Sequence, residues 1–88
     1  MIEKDKLDGL SKHLRKKFMF GASHSREIIA AYFGYRSHAA FLSTLFTPKV
    51  IGDICFIDWR MKSLNGLGSH PVPEYLVSDI SEYLKLNE

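Results

Sequence analysis

At 88 residues, with 45% hydrophobic, 12% aromatic and 25% charged side chains, the chain has the composition of one small folded domain. It is too short for a Rossmann domain with a substrate domain, a TIM barrel or a kinase. The formal charge of +2 at neutral pH does not by itself announce a nucleic-acid binder, but it is unevenly spread. Residues 1–48 carry 8 Lys/Arg against 4 Asp/Glu, and residues 49–88 carry 4 against 6. The basic excess gathers at Lys12, Arg15, Lys16, Lys17, Arg26 and Arg36, where it reads first as a solvated helix face and second as a phosphate-attracting surface.

In chain order, Leu7, Leu10, Leu14 and Phe18 are three and four positions apart, the apolar stripe of a first helix that Gly21 is expected to stop. Ser23 or Ser25 then caps a second helix, with Glu27 in its first turn and Ile28, Ile29, Tyr32 and Phe33 as its apolar side. Gly34 breaks it by a left-handed turn. Ser37 caps a third helix through Ala39, Ala40, Phe41, Leu42, Leu45 and Phe46, which Thr47-Pro48 ends.

The stretch Val50 to Ile57 reads equally as a short strand or an extended connector, because Gly52-Asp53 interrupts its β-branched and aromatic residues. Asp58 caps a short fourth helix through Trp59, Met61 and Leu64, closed by Asn65-Gly66. After a loop over residues 68–73, Pro73 opens a last helix. Leu76, Ile80, Tyr83 and Leu84 form its buried stripe, with Asp79, Glu82 and Lys85 facing water. The expected fold is mainly α: a single domain over residues 1–88, built as a bundle or array of about five helices with room for one short strand near 50–57.

Cys55 is the only cysteine. It leaves no internal disulfide, and its apolar neighbours suggest a buried thiol acting as a small hydrophobe. With a charged N-terminal hexapeptide and no apolar stretch near the roughly 20 residues of a membrane span, the expectation is a cytoplasmic protein. His13, His24, His38 and His70 show no ligand-like spacing, and His24 reads as a helix-start residue. No serine sits in a nucleophile elbow, and an apolar setting would quiet the Cys55 thiol. No catalytic residue, cofactor site or metal site is therefore nominated.

The most organised local pattern is residues 23–42, two helices joined by a Gly-centred turn, the geometry of a helix-turn-helix. Its second helix, however, offers Ser37, His38, Ser43 and Thr44 and no Arg, Asn or Gln for bidentate base reading. A packing hairpin therefore outweighs a DNA-reading one. On Ser23, His24, Ser25, Ile28, Ile29, Ala30, Gly34, Tyr35, Arg36, Ser37 and Ala40, the same stretch resembles a short helical module of bacterial proteins, many of them labelled glyoxalase-related. The resemblance implies a bacterial accessory domain of a mobile-element, defence or regulatory locus. It implies no glyoxalase chemistry, which requires paired βαβββ units and His/Glu metal ligands.

Eleven aromatic residues exceed what one small core readily buries, and surplus aromatic surface marks an interface. The leading expectation is thus a non-catalytic interaction module that binds a protein partner or itself, with Tyr35, Phe46 and Trp59 as interface candidates. The alternative is a helix-turn-helix-like nucleic-acid binder using Lys12, Arg15, Lys16, Lys17, Arg26, Arg36 and His38. An enzyme is a third reading without a residue set.

Overall fold

A computed structural model of the chain describes residues 2–65 and 75–86. Helix α1 (Lys4–Phe18) buries Leu7, Leu10 and Leu14, carries Asp5 in its first turn and has Arg15, Lys16 and Lys17 in its last, the charge order a helix dipole favours. The residue that stops it is Met19, in the left-handed region at φ 61°, not Gly21. Gly21, at φ −70°, is the extended residue before α2 (Ala22–Tyr32). The chain thus reverses within residues 19–21, and α2 starts ahead of both serines proposed to cap it. Ser25 is buried inside the helix, its hydroxyl donating to the Gly21 carbonyl at 3.0 Å.

Ile28 to Phe33 are buried without interruption, so the C-terminal half of α2 has no solvent face. It is the central helix, packed against α1, α3 (His38–Ser43) and α4 (Ile54–Asn65), while α1 also packs against α5 (Leu76–Leu86). The amides of Gly34 and Tyr35 close the end of α2 on the carbonyls of Ala31 and Ala30, a helix-stop pattern that requires the left-handed residue Gly34 (φ 92°). A Cβ at Gly34 would also lie 2.8 Å from the Val50 backbone nitrogen.

Ser37 caps α3 as expected, accepting from the Ala40 amide at 3.1 Å. The helix ends at Ser43 rather than at Thr47-Pro48. Ser43 and Thr44 hydroxyls donate to the carbonyls of Ala40 and Phe41, competing with helix propagation. Leu45 and Phe46 then turn left-handed, at φ 56° and 58°.

Among the described residues no strand is present; residues 50–57 divide between a connector and the first turn of α4. The amides of Lys49 and Val50 donate to the Phe33 carbonyl and that of Gly52 to Tyr32, so the β-branched run saturates the end of α2 instead of pairing in a sheet. Asp53, not Asp58, caps α4, its carboxylate accepting from the amides of Cys55 and Phe56 at 3.0 and 3.2 Å. Asp58 lies within the helix and pairs with Lys62. The α4 stripe is Ile57 and Met61. Cys55, two positions earlier and hence on the opposite side of the helix, is exposed rather than buried.

In α5, Leu76 and Ile80 are buried, with Tyr83 and Leu84 partly so. Asp79 departs from expectation: it packs against α1 with only 10% of its side chain exposed. The loop 68–73, His70, the proposed Pro73 start and Gly66 lie outside the described residues.

Candidate binding groove

The turn that lays α1 alongside α2 leaves a groove of about 500 Å³ between α1 and the α2–α3 hairpin. From α1 come Lys4, Leu7, Asp8, Ser11, Lys12 and Arg15, spaced three and four apart on one helix face. Helix α2 adds Ala22, Arg26 and Ile29; α3 and the turn after it add His38, Phe41, Leu42 and Phe46. The buried Leu7, Ile29 and Phe41 form its base. Leu42, 50% exposed, and the half-buried Phe46 are its accessible apolar groups. From Lys4 to Arg15 the wall is about 16 Å long at 1.5 Å per helical residue.

The two ends differ electrostatically. Toward the α1–α2 turn, Lys12, Arg15 and Arg26 face the groove, and a shallow depression beyond it adds Lys16 beside Lys12 and Arg15. Toward the start of α1, Lys4 stands among Glu3, Asp5 and Asp8, next to Leu45 and Phe46. The groove is therefore cationic at one end, apolar and charge-compensated at the other.

Of the basic residues singled out in the sequence, Lys12, Arg15, Arg26 and His38 converge here and Lys16 adjoins them. Arg36 is exposed in the α2–α3 connection and does not line the groove. Lys17 is drawn the other way, into an ion pair with Asp79 of α5. The interface candidates separate as well. Phe46 lines the groove. Tyr35 is half-buried against Phe41, its hydroxyl donating to the Thr47 carbonyl at 2.7 Å. Trp59 stands half exposed on α4, against Phe56.

Two polar clusters hold the walls. Glu27 accepts from the His38 amide at 2.9 Å and from Arg60 Nη2 at 3.3 Å, joining α2 to the start of α3 and to α4. On the far side of α1, Asp79 takes His13 Nε2 at 2.8 Å on one oxygen and Lys17 on the other; His13 also stacks on Tyr83 with ring centroids 4.8 Å apart. Burial pushes the Asp79 carboxyl up, but the bonds from Lys17 and His13 outweigh it and hold it below the usual carboxylate range. The hydrogen bond to Asp79 raises Lys17 in turn.

Sequence reasoning missed both Glu27 and Asp79 as tertiary partners, because each was read only against its own helix. Period alone carried one signal: Asp79 lies between Leu76 and Ile80 at spacings of three and one, closer to the buried stripe than Glu82.

Among the described residues no three of His, Cys, Asp and Glu come together in a way that would hold a metal ion. No helix there is long and apolar enough to cross a membrane. Neither a protein-family model, nor a curated protein, nor a solved structure matches this chain.

Proposed function

We propose that this chain is a non-catalytic interaction module that binds a partner protein through the groove between α1 and the α2–α3 hairpin. The observation that carries the reading is the continuity of an accessible apolar edge, Leu42 and Phe46, with three cations from two helices, Lys12, Arg15 and Arg26. Such a surface takes an apolar anchor and fixes its register by charge. The resemblance of residues 23–42 to a bacterial helical module agrees with an accessory role, and the single cysteine suits a cytoplasmic setting.

Nucleic-acid binding is the second reading, favoured by the convergence of the same cations. Three features weigh against it. The hydroxyls of Ser37, Ser43 and Thr44 are engaged with the backbone of α3 instead of being offered to base edges. Helix α3 spans only six residues. Arg36 stands apart from the groove.

Selection of random 16-residue peptides displayed on phage, run in parallel on the wild-type chain and on Leu42→Asp, tests the proposal. Peptides enriched on the wild type and lost on the variant are expected. Equal enrichment on both, or none, contradicts it.

A further inference from the structure

The groove's two ends specify more than the existence of a partner. We propose that its occupant is a partner-protein segment carrying two or three carboxylates at one end and a bulky apolar side chain at the other. This rests on the interaction reading above and adds the partner's chemistry and orientation.

Charge complementarity selects the acidic end. Lys12, Arg15 and Arg26 line the groove toward the α1–α2 turn, outnumbering Asp8, the one carboxylate of that lining, which stands a turn before Lys12 on α1, and Lys16 flanks them. Three cations on adjacent turns of α1 and a fourth on the neighbouring α2 repel one another when bare, and an anion seated among them relieves that repulsion while gaining charge-assisted hydrogen bonds. Among the described residues none of these four takes part in an ion pair, whereas Lys17, Arg60 and Lys62 do. The fold thus engages Lys17, Arg60 and Lys62 and leaves Lys12, Arg15 and Arg26 lining the groove, with Lys16 beside them.

The apolar end is equally specific. Leu42 and Leu45 are 50% and 66% exposed beside Phe46, where Lys4 is offset by Glu3, Asp5 and Asp8. A second acidic group would be repelled there, so the occupant has one orientation. About 16 Å separates the ends, the span of roughly eleven helical residues or five extended ones. A nucleic-acid duplex satisfies the cationic end but keeps its base faces stacked and offers no apolar anchor for Leu42 and Phe46, which is why a protein segment is favoured.

The test is a titration of the full chain with the peptides enriched in the selection above, compared with a 20-base-pair mixed-sequence DNA duplex. The enriched peptides are expected to carry an Asp/Glu excess at one end and Leu, Phe or Trp at the other. Their affinity should fall more than about tenfold on Arg15→Glu with Arg26→Glu, by less on the Gln pair at the same positions, and by no more than about twofold on Arg36→Gln, an exposed cation outside the groove. Thermal melts of each variant establish that it is folded. Groove-binding peptides that lack acidic residues and are indifferent to the Arg15/Arg26 changes overturn this inference and leave the interaction reading standing. Binding of the duplex with no peptide enriched overturns both.

Discussion

Asp79 of α5 accepts a hydrogen bond from His13 of α1 at 2.8 Å, although the two are 66 positions apart. With Lys17 on the second carboxylate oxygen, one acid pins the last helix to the first. Asp79→Ala removes the acceptor for both donors and is expected to lower stability by about 1–2 kcal/mol, read as a drop of several degrees in Tm. The pH dependence follows from the directions of the shifts. A depressed Asp79 contributes stability above the ordinary carboxylate pKa and loses it as pH falls through its lowered value. A raised Lys17 contributes below the ordinary lysine pKa and loses it as pH rises through its raised value. Below about pH 4 the wild type should therefore lose more stability than Asp79→Asn, whose acid limb should be shallower.

Glu27 is the corresponding node on the other side of α2. Glu27→Ala frees the His38 amide at the start of α3 and strips Arg60 of its carboxylate, with Arg60 Nε already buried and without a partner among the described residues. Urea unfolding should show a loss of about 2–3 kcal/mol for this variant, and a smaller one for Glu27→Gln, which still accepts from the amide.

Met19 occupies a left-handed position at φ 61° with 85% of its surface exposed. A side chain there costs backbone strain and packs little in return. Met19→Gly should raise stability by about 1 kcal/mol, seen as an increase in Tm; a decrease would mean the side chain has a packing role.

Gly9 shows the opposite logic. Glycine inside α1 should cost helix stability relative to alanine, yet a Cβ there would lie 2.7 Å from the Tyr83 hydroxyl. Gly9→Ala is expected to yield none of the roughly 1 kcal/mol that helix propensity promises. In a Tyr83→Phe background, where the crowding oxygen is gone, the same change should recover at least about half of it. Four melts close that double-mutant cycle.

The helices were legible because their periods are strong: Leu7, Leu10 and Leu14 in α1, and Leu76 and Ile80 in α5, are buried where spacing put them. Ser37 was legible as a cap because its partner is three residues away. The ends of elements were less so. Met19, Leu45 and Phe46 take left-handed conformations that nothing in their side chains advertises, so α1 and α3 stop earlier than Gly21 and Pro48 suggest. The β-branched run at 50–52 was ambiguous since its amide partners, the carbonyls of Tyr32 and Phe33, are set by tertiary packing. Half of the groove was visible as a cluster of cations. Its division of the α1 cations, Lys12 and Arg15 inside and Lys17 outside, depends on which face of α1 meets α5, a relation between distant residues.

The most direct measurement is a two-dimensional amide spectrum of the chain with a display-selected peptide, then with the DNA duplex, at low and at moderate salt. The account predicts that the peptide shifts residues along the groove wall, Leu7 to Arg15 and Arg26 to Phe46, and that those near Leu42 and Phe46 persist at moderate salt. Peptide shifts confined to α4 or α5, or groove shifts produced by the duplex alone and erased by salt, would contradict it.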